Sequence, residues 1–449
     1  MRGGLAWSGQ GAAREPQRLI SQLLQAENAD ARRALVGGRG RGQAWLARLS
    51  RTRPEMLRCV LASCAVLLLL GSCASAPPPP TWVSSWEAAP QLVEVANNPP
   101  TPLADTTVRQ VVHATGGGGA RLRVQFSNVF GSGPVEIRAA HVAASASAPG
   151  APVDSRILPA TDTALSFAGA PGARIAPGAA LWSDDVAFDL APLACLAVTT
   201  AFGAAPLGVS GHPGSRTTSY QAPGANVSAP DMLTAATAPH WYIIAGLEVW
   251  GARVARAAVM LGDSITDGRG STTDGNDRWP DVLAARLGAA GSNVSVVNAG
   301  IGGNALTGGG IGPTALARFA RDVLSQGGAA FAVLFEGVND IGAGVGAPAI
   351  TAALDALRDN ATAAGLAVIG ATITPFGGTG YYSAQHEATR QAVNAHIRGA
   401  ADVIDFDAVL SDGGMPPRLK AEYDSGDGLH PNAAGYAAMA GAIDLGLFA

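Results

Sequence analysis

Two rhythms of apolar and polar residues run along the chain. Between residues 81 and 252 apolar and polar positions alternate over short runs, as in Arg121-Leu122-Arg123-Val124-Gln125-Phe126 and Val135-Glu136-Ile137-Arg138. Residues 186–190 and 241–249 read the same way. A period of two marks a strand with one buried face. Clusters of Gly, Pro and Asp separate the runs, which predicts antiparallel strands in a β-sandwich or jelly roll. From Ala257 onwards the rhythm changes. Apolar runs near 257–261, 294–298, 331–335, 366–372 and 402–406 alternate with helix-like segments near 279–290, 313–325, 349–364, 384–399 and 431–445. That alternation predicts a parallel sheet with helices on both faces. Pro280, Pro313 and Pro431 fall near the helix starts, where a missing N–H costs little. The expectation is an all-β domain at 81–252 followed by a three-layer α/β/α domain at 253–449.

The beginning of the chain follows neither rhythm. Residues 1–55 are Arg-rich and carry no clear periodicity, and they read as an upstream extension that is not part of the native protein. Met56-Leu57-Arg58 then opens a charge, an apolar run and the ending Leu70-Gly71-Ser72-Cys73. This is the pattern of a signal peptide at 56–72. The apolar run is too short to cross about 30 Å of hydrocarbon. The ending resembles a bacterial lipoprotein box, which implies that Cys73 becomes the lipidated first residue. Residues 73–80, with the Pro77–Pro80 run, read as an extended tether. The expectation is an exported cell-envelope lipoprotein, periplasmic or on the outer surface, touching the membrane only through its lipid.

Composition narrows the function. With 48% hydrophobic and 14% charged residues, 449 residues suffice for one large core or two. Residues 1–72 hold a net charge of +7, leaving −11 on the remainder of a chain whose formal charge is −4. An acidic body argues against nucleic acid as partner. Of the four cysteines, Cys59 and Cys64 leave with the signal peptide, Cys73 takes lipid and Cys195 stands alone. That leaves no disulfide framework and no metal-ligand spacing. Phosphate-loop and zinc motifs are absent from the sequence, so neither cofactor nor metal is predicted. His113, His141, His212 and His240 are scattered and read as structural or surface residues. Trp82, Trp86, Trp182, Trp241 and Tyr220 read first as core, with a sugar-binding face as the alternative.

Four short stretches carry the candidate chemistry. Gly262-Asp263-Ser264-Ile265 ends the first apolar run of the α/β region. Asn298-Ala299-Gly300-Ile301-Gly302-Gly303-Asn304 and Gly337-Val338-Asn339-Asp340 follow later runs, and Asp427-Gly428-Leu429-His430-Pro431 opens the last helical segment. In this order and spacing they resemble the four blocks of the GDSL esterases, the SGNH hydrolase superfamily, over about residues 255 to 449. The resemblance implies a flavodoxin-like α/β/α fold and serine-dependent ester hydrolysis. A Gly-x-Ser-x-Gly elbow is absent, which sets the chain apart from α/β-hydrolases.

Each residue fits its part on chemical grounds. Ser264 is the candidate nucleophile, and a serine hydroxyl needs a base to take its proton as it attacks. His430 titrates near neutral pH and can return the proton to the leaving group. Asp427, three residues earlier, lies within reach to hold the imidazole tautomer. Taken alone, Asp427 and Pro431 also fit the start of a helix. The resemblance implies an oxyanion hole formed by the backbone N–H groups of Ser264 and Gly303 and the amide of Asn339. Glycine allows close backbone approach and asparagine offers neutral donors. Asp263 is expected to brace the turn. Asp267, Arg269, Asp277, Arg278 and Trp279 are candidates for an entrance, Glu336 for a substrate contact, and residues 376–382 for an acyl- or sugar-binding lip. Asp405 and Asp407 read as structural.

The expected function is a serine esterase that removes acetyl or other acyl groups from carbohydrate, acting on small-molecule or polysaccharide esters. One alternative is a broad lipase or lysophospholipase-like esterase. Another is a non-catalytic glycan-binding surface lipoprotein, but such a relic would have no reason to keep Ser264, Asp427 and His430 together.

Overall fold

The structure is a computed structural model and describes residues 81–147, 151–251 and 255–449. The expected upstream extension at 1–55, signal peptide at 56–72, lipidated Cys73 and tether at 73–80 lie outside the described residues.

The first half is an antiparallel sandwich. One sheet runs in the order Thr81–Glu87, Ile244–Gly251, Arg121–Ser127, Ala180–Trp182, with Val186–Ala187 also paired to Arg121–Ser127. The second runs Ala236–Ala238, Ser219–Pro223, Thr106–Ala114, Ala194–Phe202, Val135–Ala144, Thr163–Leu165, with Ala173–Ile175 added at Val135–Ala144. Alternate residues of both sheets, among them Leu122, Val124, Phe126, Val112, Val142, Leu196 and Val249, meet in one core. Trp86 and Trp241 pack edge to face at 4.9 Å inside it, and Tyr220 is buried. Trp82 and Trp182 instead clasp the Arg123 guanidinium at 4.5 and 4.6 Å. The run at 241–249 is split at Ile243, whose φ of 66° breaks the strand, and the run at 186–190 pairs only over Val186–Ala187.

The second half is a five-stranded parallel sheet in the order Val294–Gly300, Arg256–Gly262, Ala329–Phe335, Ala367–Ala371, Val403–Ile404. This is the flavodoxin-like order, in which the crevice lies beyond the carboxyl ends of the strands. Strand alternation sorts the side chains into two layers. Ala258, Met260, Val296 and Val333 face the helices Trp279–Ala289 and Ala433–Ala442. Val259, Leu261, Val297 and Leu334 face Ala315–Phe319, Ala347–Ala363 and Ala384–Arg398. Trp279, fully buried against Phe406, anchors the first layer. Truncating such a residue costs about 3–5 kcal/mol.

Residues 79–449 cluster as one compact unit, so sandwich and α/β layer share an extensive interface. Ser84 N donates to Gly327 O at 2.9 Å, Ser295 Oγ to Ser84 O at 2.6 Å and Thr115 Oγ1 to Val296 O at 2.7 Å. Deeper pairs join His113 to Asp281 and His212 to Asp267, each at 2.9 Å.

Candidate active site

The turn that holds Ser264 is built by small residues and a cap. Strand Arg256–Gly262 ends at Gly262, where any Cβ would collide with the Thr266 hydroxyl. Asp263 is extended and its Oδ1 accepts from Ile265 N at 2.9 Å, capping a one-turn helix, Ser264–Asp267. Gly268 closes it with φ 102°, a conformation that favours glycine. Ser264 is thus the first helical residue, at the carboxyl end of the second strand in the sheet order, 6% exposed.

His430 and Asp427 arrive on the loop before the last helix. Asp424 Oδ1 accepts from Gly426 N and Gly428 N at 2.9 Å, and Asp427 Oδ1 accepts from Leu429 N and His430 N at 3.0 and 2.9 Å. The helix itself starts later, at Ala433 with Asn432 as cap, so Asp427 caps its own loop and not the helix. Ser264 Oγ lies 2.8 Å from His430 Nε2, and His430 Nδ1 lies 2.7 Å from Asp427 Oδ2. An ionised carboxylate only accepts, so Nδ1 carries the proton and the Nε2 lone pair faces the serine hydroxyl.

The electrostatics suit that tautomer. Burial raises the Asp427 carboxyl, but the His430 backbone N–H, its imidazole and Leu429 N outweigh burial and bring it to about 2. Burial lowers His430, Asp427 opposes this, and Arg269 and Arg216 lower it further. The net effect lowers His430, so its neutral ring persists to lower pH than that of an ordinary imidazole. Arg269 Nε stands 3.9 Å from Asp427 Oδ2, and Arg269 N donates to Ser264 O at 2.9 Å. Tyr436 Oη donates to Arg269 O at 2.6 Å, which ties the last helix to the residues just after the Ser264 turn.

Three donors are expected to serve an oxyanion: Ser264 N–H, Gly303 N–H and the Asn339 amide. Ser264 N–H and Gly303 N–H have no intramolecular acceptor among the described residues. Gly303, at φ 73°, sits in a turn closed by Asn304 N donating to Ile301 O and Ile311 N to Gly303 O, at 3.0 and 2.8 Å. Asn339 Nδ2 donates to Asn304 O at 2.7 Å, and its Oδ1 accepts from Tyr381 Oη at 2.9 Å. One amide N–H of Asn339 remains for a ligand.

Several residues beneath the site escaped the sequence reading. Asp340 accepts from Leu306 N, Thr307 N and Thr307 Oγ1 at 2.8–3.0 Å and so pins the turn after Asn304. Buried Arg318 donates to Asn304 Oδ1, Ala299 O and Gly262 O at 2.9, 2.5 and 2.9 Å. Its position in a helical segment gave no sign of this. Glu336, expected as a substrate contact, is 1% exposed and lies 3.4 Å from buried Arg318. Arg278 and Trp279 are buried, and so is Asp267, so the entrance is left to Arg269 and half-buried Asp277. Asp405 and Asp407 hold Arg398 and Arg390. Burial pushes Asp263 up to about 7, its cap bond opposing, with Asp340 and Asp267 adding to the rise. The 376–382 loop lies over the site, with Tyr381 on Asn339 and Thr379 beside Gly428. Among the described residues no cluster of three or more His, Cys, Asp or Glu has a metal-site arrangement, and no helix is long and apolar enough to cross a membrane.

Residues 260–438 match the GDSL-like Lipase/Acylhydrolase family. No curated protein matches the chain. Among solved structures, an alpha/beta hydrolase enzyme from the metagenome of Lake Arreo is 22% identical, with 43% of this chain and 95% of that one covered and a TM-score of 0.34. A GDSL-like lipase from Bacteroides thetaiotaomicron is 21% identical over 43% of this chain and 88% of its own, TM-score 0.33. A carbohydrate acetylesterase from Sinorhizobium meliloti is 15% identical over 41% and 94%, TM-score 0.34.

Proposed function

We propose that Ser264, His430 and Asp427 carry the hydrolysis of carboxylic esters by this chain, whose residues 260–438 match the GDSL-like Lipase/Acylhydrolase family, and that the substrates are acyl esters of carbohydrate. The observation that supports this most directly is the hydrogen-bond relay Ser264–His430–Asp427 at 2.8 and 2.7 Å. Ser264 Oγ bonds to the ester carbonyl carbon as its proton passes to His430 Nε2. The carbonyl oxygen, now negative, is held by Ser264 N–H, Gly303 N–H and the Asn339 amide. Collapse breaks the bond to the alcohol oxygen, which takes the proton from His430. Water then repeats the attack on the acyl-serine, giving the carboxylic acid and free Ser264.

The surroundings favour a polar alcohol and a short acyl group. Arg269 is exposed, Asp427 is 41% exposed at its side chain, and Thr379 and Tyr381 form a polar lip. Against this, Ile311 beside Gly303 and Tyr382 beyond the lip are exposed at 48% and 37%, which favours a lipid-like acyl chain as the second reading. Hydrolysis of a nitrophenyl ester series, run beside acetylated xylan, separates the two. Acetate release from the polymer with a sharp fall beyond short chains is expected; a maximum at long chains with no acetate from polymer would shift the assignment to lipid.

We also propose that the mature chain is a cell-envelope lipoprotein starting at Cys73, on the strength of the Leu70-Gly71-Ser72-Cys73 ending. Mass spectrometry of the exported protein should find a lipid-modified Cys73 at the N-terminus, and any other start would refute this.

A further inference from the structure

Three segments of the molecule converge on Asp267. It ends the helix that Ser264 begins, and it is 2% exposed. Gly300, before the candidate oxyanion turn, passes so close that a Cβ would strike the Asp267 backbone. A Cβ on Gly302 would lie 3.2 Å from Asp267 Oδ2, and one on Gly214, from the sandwich, would collide with the carboxylate. From the sandwich too comes His212, 5% exposed, with Nε2 2.9 Å from Asp267 Oδ1 and Nδ1 3.0 Å from Ala89 O. A carbonyl only accepts, so Nδ1 carries a proton; the contact at the other end needs a second proton, on Nε2 or on Asp267 Oδ1, and with it the imidazole is held at both ends. Asp267 Oδ2 has no hydrogen-bond partner, and Arg216 Nη2, at 3.9 Å, is too far to supply one. The carboxylate therefore depends on His212.

A single helical turn does not hold its own shape, because fixing the first turn is unfavourable. The turn at Ser264–Asp267 is held by its cap, by Asn298 Nδ2 donating to Thr266 O at 2.7 Å, and by the Asp267 side chain. A buried carboxylate stripped of its partner is strongly destabilised and pulls towards water. Such a pull acts on the segment that carries the nucleophile and on the turn packed against it.

We infer that His212 and Asp267 form a positioning pair for the hydrolysis, through which the β-sandwich fixes Ser264 against the Gly302–Gly303 turn. The sandwich is on this account a working part of the catalytic centre and not a detachable accessory. The inference rests on the proposed roles of Ser264 and Gly303. A misplacement of about 1 Å at a reacting group costs on the order of 10²-fold in rate.

The test uses the full chain with His212→Phe, His212→Gln, Asp267→Asn and the His212→Gln/Asp267→Asn double variant. Steady-state turnover of nitrophenyl acetate, labelling of Ser264 by a nitrophenyl phosphonate and thermal melting are measured on each. His212→Phe and Asp267→Asn should each lower kcat by roughly 10- to 100-fold with KM nearly unchanged. His212→Gln, which keeps an N–H towards Asp267, should recover much of the loss and serves if His212→Phe does not fold. The double variant should be no slower than the slower single, as expected of residues acting as a unit. Melting temperatures that fall while kcat and labelling stay at wild-type rates would overturn the inference. Wild-type protein that hydrolyses esters but takes no phosphonate at Ser264 would instead refute the nucleophile assignment on which it rests.

Discussion

His430 feels opposing influences. Burial lowers it, the Asp427 carboxylate raises it, and the Arg269 and Arg216 guanidiniums lower it again. Catalysis by a general base needs the neutral ring, so the acidic limb of kcat/KM reports this balance. Arg269→Gln removes one cation, so His430 binds its proton more tightly and the limb moves to higher pH. The side chain is 61% exposed, so the shift should be a few tenths of a pH unit, the size typical of a solvated charge. A pH–rate profile of the variant at low salt checks this, and a limb that stays put or moves to lower pH would show that Arg269 does not act on the base. His212 teaches a different lesson at the same scale. Its partner lies 55 residues away, so no local spacing flagged it. Ser264, Asp427, His430, Gly303 and Asn339 could be singled out as candidates because each belongs to a short block of residues with chemical meaning, and the relay Ser264–His430–Asp427 is the part whose contacts the structure contains.

Long elements were readable and one-turn elements were not. The strand Arg256–Gly262 and the helices Trp279–Ala289, Ala347–Ala363 and Ala384–Arg398 lie within a few residues of the periodic segments in the sequence. The turns Ser264–Asp267, Val338–Gly342 and Phe406–Leu410 are too short to show a period, yet the first two hold Ser264 and Asn339. Phe406–Leu410 also shortens the expected strand at 402–406 to Val403–Ile404, because Asp405 caps the new helix. The segment expected to be helical over 313–325 is an α-helix only over Ala315–Phe319 and continues as a π-turn over Ala320–Leu324. Asp340 shows what such short elements need. Its carboxylate satisfies three donors of the turn at 306–307 while Asn339, its neighbour, holds Asn304. Asp340→Ala orphans those donors, which should cost on the order of 3 kcal/mol and lower kcat by loosening the turn behind Gly303. Thermal melting and kinetics together check this; unchanged kcat in a destabilised variant would separate the turn from the reaction.

Across the whole molecule the interface between sandwich and α/β layer carries an unusual charge load. Glu87 from the sandwich and Asp322, Arg318, Glu336 and Asp263 from the α/β half are all buried. Burial, followed by the neighbouring carboxylates Asp322 and Asp263 respectively, holds Glu87 and Glu336 well above the ordinary carboxylate range. Asp263 lies at about 7, raised by burial first. A raised carboxyl keeps a proton in the folded state that the unfolded chain has already released. Stability from these groups is therefore complete below an ordinary carboxylate value of about 4 and drains away as the pH rises, for Asp263 through about 7. Asp427, depressed to about 2, acts oppositely, but only in strong acid. The melting temperature should fall between pH 5 and pH 8, and fall less steeply in Asp263→Asn, whose amide still caps the Ser264 turn. A wild-type melting temperature that rises over this range would mean that the acids are ionised in the folded protein.

If Ser264 is the nucleophile, the acyl group of the substrate passes through its Oγ during turnover. Nitrophenyl acetate mixed with enzyme, quenched in acid after milliseconds and digested, should yield the peptide containing Ser264 with one added acetyl group. The same peptide from Ser264→Ala should be unmodified and turnover should fall by roughly 10⁴-fold or more. Acetyl found on another residue, or a Ser264→Ala protein that still turns over the ester, would contradict the account.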